Sequence, residues 1–407
     1  MVGLLDDWFG LVWLIDATTT IRYAVNPITI RNFSALCWLS GRDFYEHMGG
    51  AVPVALAMNA VGAHPIESWL SAEALAACGV TTSCAGSATS TGHDTGSAGL
   101  AVPDVPDVPD APNSKIYETT IVPMHPFTFG TMLWDQGEQD LNCKRVGVYA
   151  CMEEQLVSTY RRDFNASFPF IAIQLPGYTD GVFPMRLAQE AGAQASKGAA
   201  AVATYDISCA ESKYQGCPYG NVHNVHKQAI APRVTGWMRK MTLKEQDPKL
   251  VTEGPRVTSV SVSGGGRGGG DSRAGAGAGA GAAMVVTATF AGGTGPFHFA
   301  PTRNCSACCN GNISDFDVSG DNGTTWVDGG PATVVPAGSG MTITFTVTSL
   351  WTPHSTHRPP VPASSAAFGV LVRYTANQIF PQCALYNVEG LPALPFIRNS
   401  NQRERGT

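Results

Sequence analysis

Between residues 115 and 240, short apolar runs rich in strand-forming residues alternate with segments of helical length, and this alternation constrains the fold more than any other feature. It marks βαβ units around a mainly parallel sheet, since parallel neighbours must be joined by a long crossover. Residues 128–134 read as a buried strand. Residues 146–160 read as a helix with Tyr149, Met152, Leu156 and Tyr160 roughly on one face. Residues 168–175 follow as a strand, 185–199 as an Ala-rich helix and 201–207 as a further strand. Residues 227–239 read as a helix kinked or restarted at Pro232. Upstream, residues 33–48 have a helical period, and 52–58 form a strand leading towards Gly62.

After Pro255 the pattern changes to short β-rich runs at 257–262, 284–290, 341–348 and 368–374, separated by Gly- and Pro-rich turns. That is the pattern of an antiparallel β-sandwich. With 407 residues the chain exceeds the usual single-domain size. The expectation is therefore an α/β domain over 1–250, with its parallel sheet flanked by helices, followed by a sandwich domain over 255–400. Residues 86–112 turn from Ser, Thr and Gly into a Val-Pro-Asp repeat, and 264–283 are mostly Gly and Ala. Both compositions favour extended coil over packing, so both are expected to be mobile surface insertions.

A net charge of -6 leaves no basic footprint, which excludes nucleic acid and anionic membrane surfaces as expected partners. No apolar run reaches the roughly 18 to 20 residues that span a bilayer. The first 15 residues are apolar but carry Asp6 and Asp7 without a basic leader, so they do not make a convincing signal peptide. The 11 cysteines are odd in number, which implies at least one thiol left free or paired between chains. Asn32, Asn165, Asn304, Asn312 and Asn322 each open an N-x-S/T sequon. Cysteines and sequons together suggest a disulfide-bonded glycoprotein of an oxidising compartment, a reading that requires a signal peptide upstream of Met1.

The stretch Leu133-Trp134-Asp135-Gln136-Gly137-Glu138-Gln139-Asp140 places polar residues where a strand should end, which is where open α/β sheets carry chemistry. Some 80 residues on, the loop Pro218-Tyr219-Gly220-Asn221-Val222-His223 places a histidine just before a helix-like segment. Ester hydrolysis needs a nucleophile, a base, a group that orients the base, and donors facing the oxyanion. His223 is the best base here. Gln136 carries an amide that could donate to the oxyanion, Gly137 lets the chain turn beside it, and Gly62 could add a backbone N-H. His223 and His226 form a His-x-x-His pair, but no third ligand stands at recognisable spacing, so no metal is expected.

Several blocks in order give a resemblance to a known family. Phe33-Ser34-Ala35-Leu36-Cys37-Trp38, Gly41-Arg42 and Pro65-Ile66-Glu67-Ser68-Trp69 resemble sialate O-acetylesterases, which are SGNH-type serine hydrolases. Trp134 to Glu138 is similar to that family's Trp-Tyr-Gln-Gly-Glu block, Phe168 to Phe170 to its Phe-Pro-Phe strand, and Pro218 to His223 to its Pro-Phe-Gly-x-Ile-His block. The tail from Gln382 to Tyr386 and from Leu391 to Ile397 is similar as well. The resemblance implies an SGNH-hydrolase-like sheet and a secretory, lysosomal or extracellular setting. It also implies hydrolysis, without a cofactor, of acetyl esters on sialic acid or another acetylated carbohydrate. Carried over by position, His223 would be the base, and Gly62 and Gln136 would line the oxyanion hole. Arg186 and Gln189 would face the substrate, with Glu138 a further substrate-binding candidate. A guanidinium suits a sialic acid carboxylate, which it can grip with two hydrogen bonds.

The departures are equally specific. No Gly-Gln-Ser-Asn nucleophile block and no G-x-S-x-G elbow occurs in these residues. Ser34 lies in a helix-like segment, and Cys37 reads as a packed thiol. Asp135 replaces the family's Tyr and Asp140 its Asn, while Val61-Gly62-Ala63-His64-Pro65 stands for Trp-Gly-Gly-Thr-Pro. Gly220 and Asn221 replace the carboxylate usual before the histidine, which leaves Asp206 as the orienting acid if the chain folds back. The expectation is an esterase lineage inactive as this fragment, with a non-catalytic glycan-binding pseudoenzyme as the alternative.

Overall fold

The computed structural model describes residues 12–16, 21–24, 30, 33–82, 84, 114–179, 181–208, 223–264, 284–302, 315–330, 332–337, 340–347, 369–376 and 381–401. The insertion at 86–112 and, apart from Gly264, the Gly/Ala stretch lie outside these residues. The chain divides into two compact units, one of residues 1–204 and 215–250, the other of 205–214 and 251–407.

The first unit is α/β. β4 (Met132–Asp135), β5 (Phe170–Ile173) and β6 (Ala199–Val202) form a parallel sheet in the order β4-β5-β6. The crossovers contain α4 (Val146–Asp163) and α5 (Val182–Ala195). All four residues of β5 are buried, as expected of a central parallel strand covered on both faces. A second sheet joins β1 (Val12–Asp16), β2 (Ile21–Ala24) and β3 (Val54–Met58), with β1 parallel to β3 and antiparallel to β2. The strand at Val12–Asp16 is a finding that the apolar start did not announce. α1 (Ala35–His47) begins where Ser34 Oγ accepts the Cys37 N-H, and α2 (Ala72–Ala77) where Ser71 does the same for Ala74.

Three expectations move. The helix before β6 starts at Val182, because Gly181 (φ 90°) turns the chain into it, and it ends at Ala195. The strand expected at 201–207 is Ala199–Val202, since pairing with Phe170–Ile173 overrides the weak strand preference of alanine. Residues 205–207 form a 3-10 turn in the second unit instead. α6 (Lys227–Met241) runs through Pro232 without restarting. The bond this proline removes is the one to the carbonyl of Gln228, an exposed residue that water can serve.

α4 buries Tyr149, Met152, Leu156 and Tyr160, the face read from the sequence, together with Glu153. Gly192 of α5 lies against this helix so closely that a Cβ there would come 2.8 Å from Glu153 Cβ and 3.1 Å from Ala150 O. Glu153 is fully buried, and neither carboxylate oxygen has a hydrogen-bond partner among the described residues. Burial, reinforced by the Glu190 charge, holds its carboxyl well above the ordinary range and so favours the protonated form.

The second unit is antiparallel among the described residues. β7 (Arg256–Gly264), β8 (Met284–Ala291), β12 (Ala332–Ala337) and β13 (Gly340–Val347) form one sheet. β10 (Phe316–Ser319), β11 (Val327–Asp328), β14 (Leu371–Tyr374) and β16 (Phe396–Asn399) form another. β9 (His298–Pro301) pairs with β15 (Cys383–Tyr386). Aromatic contacts join the two larger sheets: Phe316 stacks on Phe345 at 5.2 Å, and Phe290 meets Phe396 edge-on at 5.9 Å. Among the described residues no helix is long and apolar enough to cross a membrane.

Among the described residues, two disulfides brace the first unit. Cys78, which caps α2, is bonded to Cys151 on α4, and Cys84 is bonded to Cys143. Cys37 is a free thiol that its desolvated surroundings push up to about 12, which makes it inert rather than nucleophilic. The Cys78–Cys151 bond closes a separation of 73 residues. Its replacement by a Cys78→Ala/Cys151→Ala pair is expected to cost about 2–4 kcal/mol. Urea unfolding followed by tryptophan fluorescence checks this; equal midpoints for the two proteins would contradict it.

Candidate active site

The C-terminal end of β4 turns sharply at Gln136-Gly137 before α3 (Glu138–Asn142). Gly137 has φ 145°, and a Cβ there would meet Gln189 Nε2 and Leu175 Cδ1 at 3.3 Å, so both conformation and space call for glycine.

Gln136 is buried within a hydrogen-bond network. Its carbonyl accepts from Gln189 Nε2 at 2.9 Å, and its Nε2 donates to Asp140 Oδ2 at 2.6 Å and to the His64 carbonyl at 3.2 Å. The Tyr149 hydroxyl shares its one proton between Gln136 Oε1 at 3.0 Å and the Gln136 carbonyl at 3.1 Å, and accepts from Trp134 Nε1 at 3.1 Å. Gln189 also accepts the Leu175 N-H at 2.9 Å, which ties the end of β4 to the end of β5.

Asp140 draws in the loop after β3. Its Oδ2 accepts the Ile66 N-H at 3.0 Å, while its Oδ1 is buried without a hydrogen-bond partner among the described residues. Burial pushes the Asp140 carboxyl up to about 7 against the bonds from Gln136 and Ile66, which favour its charge. Next to it Arg145 Nε lies 2.6 Å from Glu67 Oε1, a charge contact made off the hydrogen-bonding direction. The Cys84 N-H donates to Glu67 Oε2 at 3.2 Å, so this disulfide anchors the same corner.

The structure brings some of the expected residues together. Gly62 sits in the exposed turn after β3, two residues from the His64 carbonyl that receives the Gln136 amide, and Ala63 beside it has φ 61°. Glu138 opens α3, and burial beside the Asp135 charge raises its carboxyl to about 7. His223 is exposed, four residues before Lys227. The Lys227 ammonium lies 2.8 Å from Asp135 Oδ2, and so ties the start of α6 to the strand end that carries Gln136. Asn224 is buried and caps the turn by accepting the His226 N-H at 2.8 Å.

Other placements differ from a cleft-facing role. Arg186 is wholly buried, and its Nε and Nη2 donate to the carbonyls of Leu175 at 2.7 Å and Pro176 at 2.8 Å. It therefore holds the loop after β5 from behind. Asp206 is buried in the second unit, where its Oδ2 accepts from the Tyr386 hydroxyl at 3.1 Å. Tyr149 and Asp140 were read as a core position and a substitution; that both hold Gln136 was missed. The Gln-x-x-x-Asp spacing across a glycine turn was the available signal. Among the described residues no group of three or more His, Cys, Asp or Glu could hold a metal.

No family model matches the chain. It is 28% identical to the sialate O-acetylesterase of Rattus norvegicus over 252 residues, covering 54% of this chain and 45% of that protein. It is 27% identical to the sialate O-acetylesterase of Homo sapiens over 236 residues, covering 54% and 41%. The chain thus spans less than half the length of these curated relatives. Among solved structures, a carbohydrate acetylesterase from Xanthomonas citri matches with a TM-score of 0.64 at 16% identity, over 97% of this chain and 74% of that chain, a likeness of fold. The resemblance to sialate O-acetylesterases stands.

Because Asp140 ionises near pH 7 when folded and near 4 when unfolded, the folded state keeps a proton that the unfolded state loses between these values. Stability attributable to this group falls as pH rises through that window and levels off above it. Asp140→Asn keeps an acceptor for the Ile66 N-H and abolishes the titration. The stability of the variant relative to the parent is expected to rise by on the order of 2 kcal/mol from about pH 5 to about pH 8. Parallel urea-unfolding profiles across that range would contradict it.

Proposed function

We propose that the first unit is an SGNH-hydrolase-like carbohydrate esterase domain acting on acetyl esters of sialic acid or a related acetylated sugar, and that the second is a β-sandwich. The observation that carries the site is the Lys227–Asp135 ion pair, which fastens the segment bearing His223 to the strand end bearing Gln136. The acetylesterase relatives support the reaction class.

In this reading His223 takes the proton of the attacking hydroxyl, and donors near Gly62 and Gln136 meet the oxyanion. Of the two Gln136 amide bonds, the one to His64 O at 3.2 Å is the longer and the one to give up. The 2.6 Å bond to Asp140 is the tether that keeps the amide in place. Arg186 and Gln189 shape the site by holding the two strand ends, and Glu138 lines its edge. Ester hydrolysis of this kind needs no cofactor. These residues hold no Gly-Gln-Ser-Asn block, so turnover by this route is expected to be weak.

A second reading, a non-catalytic glycan binder, is favoured by the internal engagement of both Gln136 amide protons. Acetate release from O-acetylated sialic acid decides between them. The esterase reading expects slow release that falls on the order of 10²-fold in His223→Ala. Binding of the acetylated sugar without release would establish the binder, and neither binding nor release would reject both.

The disulfides Cys78–Cys151 and Cys84–Cys143 and the exposed sequon asparagines Asn165 and Asn322 support a glycoprotein of the secretory pathway, lysosomal or extracellular. Secreted from a eukaryotic host, the chain is expected to lose mass on endoglycosidase treatment, by less in Asn165→Gln. An unchanged mass in both would reject the assignment.

A further inference from the structure

The turn after β3 carries a second histidine that the reaction above does not use as a base. His64 is half-buried, and its Nδ1 lies 3.4 Å from the hydroxyl of Ser68, on the 3-10 turn Ile66–Trp69. The imidazole packs edge-on against the Trp69 ring at 6.3 Å, and Trp69 in turn against Trp134 at 5.5 Å, which fixes one side of the pair. Burial lowers the His64 pKa, so at neutral pH the ring is uncharged and can accept a proton. Its own carbonyl receives the Gln136 amide at 3.2 Å, which places the pair beside the donor already assigned to the oxyanion. Among the described residues the backbone N-H groups of Gly62, Ala63 and His64 make no hydrogen bond to the protein, and space is open around Gly62. Ala63, at φ 61°, lies in the left-handed region in which successive N-H groups can converge on an anion.

We propose that Ser68 and His64 are a serine–histidine pair able to take an acetyl group from a sugar ester, a covalent route that rests on the acetylesterase reading. Ser68 Oγ attacks the acetyl carbonyl carbon while its proton passes to His64 Nδ1. The bond from that carbon to the sugar oxygen breaks, and the oxygen takes the proton from His64 to leave as the alcohol. Water then adds to acetyl-Ser68 with its proton passing to the same nitrogen, and acetate departs as the serine recovers its hydrogen. His64 Nε2 has no carboxylate partner among the described residues. Disabling the orienting carboxylate of a full triad costs about 10⁴-fold, which sets the scale of the rate this pair lacks.

The test uses a fluorophosphonate, which phosphonylates activated serine hydroxyls, on the intact 407-residue chain, with the adduct located by peptide mass spectrometry. The wild-type protein is expected to carry the adduct on Ser68. Ser68→Ala removes it, His64→Gln slows its formation on the order of 10²-fold, and His47→Gln leaves it unchanged. The wild-type map needs no variant to fold, and an absent adduct at Ser68 overturns the proposal. Labelling that falls with His223→Ala but not with His64→Gln overturns the pairing too. A labelled Ser68 in a chain that releases no acetate from acetylated sugars upholds the pair and removes the substrate reading instead.

Discussion

The amide of Gln136 is the junction on which the candidate site depends. A strand end in an α/β sheet leaves backbone groups that the ladder no longer satisfies, and burying them unpaired costs about 1–3 kcal/mol each. Here Gln189 and Tyr149 serve the Gln136 carbonyl, while the Gln136 side chain reaches across to the loop after β3. One residue thus joins two strand ends and a loop from a separate sheet. Its geometry is set by bonds whose loss would leave polar groups buried, which is a stiffer constraint than apolar packing alone.

Much of this was legible in the sequence for definite reasons. The helix at 146–163 announces itself through the spacing of Tyr149, Met152, Leu156 and Tyr160, and β5 through the run Phe170-Ile171-Ala172-Ile173. The turn at Gln136-Gly137 was visible because polar residues interrupt an apolar run. The strand at Ala199–Val202 was displaced in the reading because alanine is a helix former until a neighbouring strand claims it. Arg186 shows the limit for side chains. Its chemistry suits a carboxylate ligand, and only the fold shows that its Nε and Nη2 donate to the carbonyls of Leu175 and Pro176.

The buried carboxyls of the first unit act in different ways. Glu67 keeps a cation beside it in Arg145, Asp140 is surrounded by donors yet strongly desolvated, and Glu153 has no donor and only the like charge of Glu190 near it among the described residues. Burying a charge without a partner is unfavourable, and this favours the protonated form of Glu153 where it is packed between α4 and α5. Asp140 can hold Gln136 in either protonation state, but grips hardest when ionised.

Gly137 has a consequence for how such sequences should be interpreted. Its backbone angle and the nearness of Leu175 and Gln189 put any side chain at this position under strain, whether or not an ester is ever cleaved beside it. A descendant that had lost all turnover would still need that hydrogen atom in place of a methyl group. The Gln-Gly-Glu signature is therefore a record of architecture, and counting it among the marks of a working enzyme would enrol silent copies alongside active ones.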